Sequence, residues 1–319
     1  MTVMCGDSPR VRLECAATVD GLATVLEVAV GILADARRIQ PAGPGEPADV
    51  LHTVGEVAAG RFTGAARRVH TVDRVALRRG GLTATTGWAH RQRRFAGAVV
   101  TWLVHGSTAG QVLVASGVVQ GDRVHGLPLV APRRGGSAGG QDRSAVRDRL
   151  GIAPGVGLVV GCEPGPGQSV PGWADAIGEL RRTDVAVIRY EADRHGRAGA
   201  LSFDELLLAA DLFVAAGLGL TACNPAAAAV AAGVPVIATT TDSAAELVRF
   251  GRTGFVVPPH PAPIAAAVRA GLDGALPRGG RRPPRPRDDA ELHSLARGLL
   301  GAYHRALRSP RAPTVRGVP

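Results

Sequence analysis

The chemistry open to this 319-residue chain is limited first by its basic residues, because all 37 are arginine and no lysine is present. That excludes a lysine Schiff base, a phosphate-loop lysine and a lysine general base. Cys5, Cys15, Cys162 and Cys223 form no C-x-x-C pair and no zinc-type spacing with the histidines, so neither a metal nor a disulfide framework is expected. His52, His90, His105, His125, His195, His260, His293 and His304 are scattered, and Ser107, Ser116 and Ser169 lack a G-x-S-x-G elbow. No G-x-G-x-x-G follows the first apolar run, which lowers a dinucleotide-binding reading. Asn224-Pro225, an N-cap residue followed by proline at the first helical position, reads as a helix start after the apolar run DLFVAA.

The elements that must position such a start are legible. Candidate strands cover Val11–Ala17, Asp49–Val54, Arg67–Val72, Ala98–Val104 and Arg123–Val130, then Gly157–Gly161, Asp184–Tyr190, Asp211–Ala216, Val234–Thr240 and Gly254–Val257. Helical patterns lie between them, so the expected class is α/β with parallel sheets. The uncharged stretch Leu212–Thr241 has the length of a membrane span but is broken by Gly217, Gly219, Pro225, Gly233 and Pro235. Its pattern is that of a buried β-α-β unit. Ser202/Glu205 and Ser243/Glu246 each fit a capping box. The segment PRRGGSAGGQ, 132–141, reads as a flexible connector dividing the strands five and five.

The formal charge of +10 is concentrated. Arg278–Arg316 holds ten arginines against Asp288, Asp289 and Glu291. One aromatic, Tyr303, accompanies them, so the interleaved aromatics of a single-strand platform are missing and no specific nucleic acid is expected. Contact with an anionic membrane surface through this basic C-terminal tail is the better reading of the charge. Asp288–Leu307 is predicted as an amphipathic helix with Leu292, Leu295, Leu299, Tyr303 and Leu307 on one stripe. The N-terminus shows no secretory pattern, and the cysteine usage suits a reducing compartment, so a cytoplasmic location with peripheral membrane association is expected.

Between Asp204 and Pro259 the runs ELLLAADLFVAAG, AAAAVAAGVPVIATT and AAELVRFGRTGFVVPP follow one another in an order that resembles the second domain of the retaining GT-B-fold glycosyltransferases, the large group 1 family. GLVVG resembles the first strand of that domain, and RVHTV with AVVTWLV and ASGV is similar to the family's acceptor domain. The resemblance implies two Rossmann-like domains facing each other across a cleft. Residues 1–134 would form the acceptor side, 135–141 the linker and 142–277 the nucleotide-sugar side. Residues 278–319 would supply an Arg/Pro linker, the helix 288–307 that crosses back to brace the first domain, and a tail.

Carried onto this sequence, the resemblance places the donor pyrophosphate at the helix start, where free amides and the dipole favour an anion. Thr221, Ala222, Cys223 and Asn224 would form the approach, with Glu246 near the donor, Asp20-Gly21 touching acceptor and His70 facing the reacting sugar as the catalytic candidate. Read as residues alone, the helix start is equally an ordinary cap, Glu246 a capping-box partner, His70 a satisfied strand histidine and Gly21 a turn residue. The sequence departs from the family where two donor-holding glutamates are usual, with Leu220 and Ala228 in their places. The phosphate-clamping Arg and Lys are also absent: no basic residue follows Cys162 before Arg181. The implied activity is retaining, metal-independent transfer of a hexose-type sugar from a nucleotide-sugar, with no cofactor, to an unidentified acceptor. The alternative is a catalytically degenerate relative serving as a scaffold or partner subunit.

Overall fold

The structure is a computed structural model, and it describes residues 8–15, 20–55, 66–75, 89–94, 96–129, 142–163, 173–191, 197–198, 201–216, 220–221, 225–276 and 289–309. The connector 132–141 and the tail beyond 309 lie outside the described residues. The chain forms two α/β units. One comprises Met1–Val75, Gly80–Val130 and Asp288–Pro319, the other Ala76–Arg79 and Ala131–Arg287.

The first unit is built on β1 (Arg10–Cys15), α1 (Asp20–Asp35), β2 (Gln40–Pro41), β3 (Val50–Val54), β4 (Arg67–Thr71), β5 (Arg74–Val75), α2 (89–94), β6 (Thr101–His105), α3 (Ser107–Ala115) and β7 (Val124–Leu127). Among the described residues its sheet runs β2-β1-β3-β4-β6-β7, all parallel. Every residue of β3 and β6 is buried, which is why these strands read as continuous runs rather than alternating ones. The strand expected from Ala98 begins at Thr101, because the Val99 amide closes a turn on Ala96 and only from Val100, which donates to Arg68, does the chain run beside β4.

The same unit carries the C-terminal helix α9 (Asp289–Arg308), which packs on α1 and on β3, β4, β6 and β7. Leu295, Leu299 and Tyr303 of the expected stripe are fully buried, and Ala296, Ala302 and Ala306 widen it. Close approach to the sheet is set by Gly298, where a Cβ would lie 2.8 Å from Leu127 Cδ2.

In the second unit, α4 (Arg143–Arg149) precedes β8 (Gly157–Glu163), α5 (Trp173–Leu180) and β9 (Val185–Glu191). A small hairpin of β10 (Arg197–Ala198) and β11 (Leu201–Ser202) leads into α6 (Phe203–Ala209). Then follow β12 (Leu212–Ala215), β13 (Leu220–Thr221), α7 (Pro225–Ala231), β14 (Val236–Thr239), a short 3-10 turn (Ser243–Leu247), β15 (Gly254–Val257) and α8 (Pro261–Ala270). The parallel sheet runs β15-β14-β12-β8-β9. One face is covered around Phe203, Leu206, Phe213 and Ala226, the other around Trp173, Leu180, Ile264 and Val268. The stretch Leu212–Thr241 is therefore a core β-α-β unit, and no helix among the described residues is long and apolar enough to cross a membrane.

Local signals hold with one correction. Ser202 and Glu205 make the expected capping box: Ser202 Oγ accepts from the Glu205 amide at 3.3 Å, and Glu205 Oε2 accepts from the Ser202 amide at 2.6 Å. At the second expected box the cap is Asp242 instead of Ser243, with Asp242 Oδ1 accepting from the Ala244 amide at 2.8 Å. A carboxylate one position earlier reaches the free amides first, and the turn that follows is 3-10 rather than α-helical. Asp211 ties α4 to the sheet, accepting from Arg143 at 3.0 Å, Arg147 at 3.2 Å and the Leu158 amide at 2.8 Å.

The motif glycine Gly254 has a steric reason. A Cβ there would sit 1.7 Å from the carbonyl oxygen of Val236, its ladder partner. Gly254→Ala is expected to destabilise the protein by about 3 kcal/mol or more, since neither backbone can yield. The exposed helical Gly178, with nothing within 4 Å of its Cβ position, should instead gain about 1 kcal/mol as Gly178→Ala. Urea unfolding of the two variants checks both signs.

Candidate functional site

Strand order locates the place where each sheet can receive a ligand. In the second unit the chain steps from β8 outward to β9 on one side, then runs β12, β14, β15 on the other, so the direction reverses between β8 and β12. Ligands of open α/β sheets bind outside the carboxyl ends of the strands at such a reversal. The segments leaving β8 and β12 there lead to α5 and to α7. Helix α7 begins at Pro225 as expected, and Thr221 lies on β13. Ala222, Cys223 and Asn224 lie outside the described residues.

The neighbouring strand end adds groups that sequence reasoning did not single out. Thr239 is fully buried at the end of β14, its hydroxyl 3.2 Å from that of Thr241, and Asp242 and Ser243 are buried beside it. The signal available in the sequence was the polar run T-T-T-D, 239–242, placed directly after an apolar strand. Glu246 is exposed on the 3-10 turn that follows. Ala228, in the place of a family glutamate, packs partly buried against the apolar core.

A cavity of about 630 Å³ in this unit lies at the opposite, amino-terminal edge of the sheet, lined by Arg143, Arg147, Arg182 and Asp211 among others. Its arginines bond to Asp211, Asp184, Asp273 and backbone carbonyls. Those internal pairs, and the distance from the strands' carboxyl ends, make it a structural knot rather than the site.

In the first unit the reversal falls between β1 and β3. Asp20 and Gly21 open α1, the helix that follows β1 at that point. His70 stands one strand further, in a row where the parallel register aligns Thr53, His70 and Trp102. It is buried, with Nδ1 2.9 Å from Thr53 Oγ1 and its ring edge-on to Trp102 at 5.0 Å between centroids. The structure thus buries His70 in the sheet with its Nδ1 bonded to Thr53. Thr53, which the sequence did not flag, fixes its orientation.

His52 and His105 are buried in the same sheet. His52 bridges Thr71 Oγ1 at 2.7 Å and the Tyr303 hydroxyl of α9 at 2.9 Å, and His105 Nδ1 bonds to the Pro128 carbonyl. Burial lowers His52 to about 3, helped by the neighbouring His70 and His105. Burial also lowers His70 to about 3, helped by the Arg68 charge. His105 is lowered to about 4 by burial, against the opposing bond to Pro128. Cys15 is raised to about 11 by burial and the nearby Glu27, so it is no ready nucleophile. Among the described residues no group of three or more His, Cys, Asp or Glu could hold a metal ion.

Comparison with known proteins now bears on the fold. Residues 170–273, which include α5, β12, α7, β14 and the 246 turn, match the family model described as Glycosyl transferases group 1. Over those residues the chain is similar to the group 1 glycosyltransferases. A glycosyltransferase from Rickettsia africae superposes with a TM-score of 0.59 at 12% identity, covering 96% of this chain and 100% of the other. Anabaena HepE, in complex with UDP and glucose, gives 0.58 at 13% identity over 93% and 95% of the two chains. Sucrose-phosphate synthase from Thermosynechococcus elongatus gives 0.58 at 12% over 93% and 94%. At these identities the likeness shows a shared GT-B fold. A comparison with curated proteins by sequence gave no match.

The three histidines predict an acid limit. Their folded values lie below the ordinary value near 6.5, so between those limits the unfolded chain binds more protons. Stability is full above about pH 6.5 and is lost as the pH falls, by up to about 1.4 kcal/mol per pH unit for each histidine. His52→Gln should remove one proton from that slope, read by denaturant unfolding at pH 5 to 7. An unchanged slope would contradict the assignment.

Proposed function

We propose that this group 1 relative binds a nucleoside diphosphate sugar in its second unit and transfers the sugar, with retention and without metal, to an acceptor engaged by the first. The reading rests on one coincidence: the family match, residues 170–273, takes in β12, one of the two strands between which the sheet direction reverses, together with α7 that follows it. The diphosphate would lie against the amides of Thr221–Asn224 and the start of α7, with Glu246 toward the sugar. Asp20 and Gly21 would meet the acceptor. His70 would orient a sugar hydroxyl as a neutral imidazole, a form its burial favours. Transfer would be front-side displacement, with the departing phosphate taking the acceptor proton. The structures of HepE with UDP and with UDP-glucose support the donor class by likeness of fold. The same reading gives the basic tail a peripheral contact with anionic lipid in a cytoplasmic setting.

Because no Arg or Lys follows Cys162 before Arg181, negative charge on the leaving group would be held mainly by backbone amides. One missing donor of this kind typically costs about 3 kcal/mol of transition-state stabilisation. Turnover should therefore be slow rather than absent.

A second reading, a degenerate scaffold, is favoured by the core packing of Ala228 in the place of a glutamate. Calorimetry with UDP, GDP, ADP, CDP and TDP decides between them. Micromolar binding of one nucleotide is expected, weakened at least tenfold by Thr221→Pro. Binding of none overturns the enzyme reading and leaves the scaffold.

A further inference from the structure

The edge of the first sheet carries an apolar groove that the sugar-transfer reading does not use. It opens between α3 and the edge strand β7, with a volume of about 600 Å³. Val104, Val114 and Val124 supply its apolar wall, and Gly110, Gly121 and Gly126 keep it open. Gly110 lets α3 settle on the strands, since its Cβ position already lies 3.4 Å from Val104 and 3.5 Å from Val124. Over Gly126 there is nothing within 4 Å. Val114 is 38% exposed, one of two large apolar side chains left in solvent among the described residues.

One end of this groove is cationic. Helix α2 turns Ala89 and Gln92 inward and leaves Arg91, Arg93 and Arg94 exposed. Arg93 ties that helix to the end of α3, donating to the carbonyls of Ser116 and Gly117, the latter at 3.3 Å. Arg123 donates to Ala96 at 3.0 Å from the turn beside Gly121. Across residues 89–124 these four arginines face a single carboxylate, Asp122. Arg93 and Arg123 are fixed in place by backbone bonds, so their charge stands at a set position beside the apolar wall.

We propose that this face, α2 with the α3–β7 groove, docks on a bilayer containing anionic phospholipid. The arginines would meet headgroup phosphates, and Val114 with the groove would take up acyl-chain surface. An apolar wall gives nothing to a hydrophilic sugar, and the arginine rim opposes a cationic partner. An anionic bilayer satisfies both features at once, because apolar burial and headgroup attraction add in interfacial binding. This surface is distinct from the basic tail, and the inference does not depend on catalysis.

The test is co-sedimentation of the full chain with phosphatidylcholine vesicles, with and without 30% phosphatidylglycerol. Binding is expected only with phosphatidylglycerol, and weaker in 0.5 M salt. The pair Arg91→Glu/Arg94→Glu, and separately Val114→Asp, should each lower the partition coefficient by about tenfold or more. Truncation after Ser309 combined with Arg278→Gln, Arg281→Gln, Arg282→Gln, Arg285→Gln and Arg287→Gln, which removes the basic charge on either side of α9, should preserve most of it. Unchanged circular dichroism and melting temperature certify that the variants fold. No binding to anionic vesicles overturns the proposal. So does binding that both variants retain, binding that the truncated, arginine-depleted chain loses, or a solution dimer that Val114→Asp dissociates.

Discussion

Close packing of small side chains is the constraint on which both units depend, because only 3% of the residues are aromatic and the cores are made of Ala, Val and Leu. A layer of such residues buries enough apolar surface only if helices and strands approach closely, and glycine sets that approach where it matters. Gly161 lies under the Trp173 ring, Gly254 against the Val236 carbonyl and Gly298 over Leu127. The few large rings fill specific gaps. Tyr190, Phe203 and Phe213 pack in sequence on one face of the second sheet, the first pair tilted and the second edge-on, and Trp173 fills the other.

Packing of this kind leaves polar groups few places inside, and the first unit accommodates them as a bonded row. His52 joins β4 to α9 through Thr71 and Tyr303, and His70 is held by Thr53. These bonds orient side chains that burial keeps neutral. The C-terminal helix is thereby tied to the first sheet by a specific polar contact as well as by its apolar stripe. The 3.6-residue stripe alone would tolerate sliding, whereas the Tyr303–His52 bond fixes one register.

On the proposed reading, an anion in the second unit would be held by backbone more than by side chains. A lysine-free chain with no arginine in the loop after β8 has helix starts and loop amides with which to hold an anion. The reversal between β8 and β12 sets the carboxyl ends of those strands side by side, with the buried Thr239, Asp242 and Ser243 at the end of the adjacent β14. Departures from the family at Leu220 and Ala228 follow the same trend, since both replace charged groups by apolar ones.

The sequence by itself determined the α/β class, the strands of both sheets except the short β2 to within a few residues, the capping box at Ser202 and Glu205, and the C-terminal amphipathic helix. These are local matters: apolar periodicity and short-range amide satisfaction act over a few residues and leave a readable pattern. It did not determine which strands neighbour which, and hence where each sheet reverses. Nor did it show that His70 is a core residue held by Thr53, that Asp242 displaces Ser243 as a cap, or that Tyr303 meets His52 across 251 positions. Such outcomes depend on which side chains arrive first at a buried donor or against a strand from elsewhere in the chain. Only the tertiary structure decides that, because burial and hydrogen-bond partnership are properties of the packed assembly and not of any local run of residues.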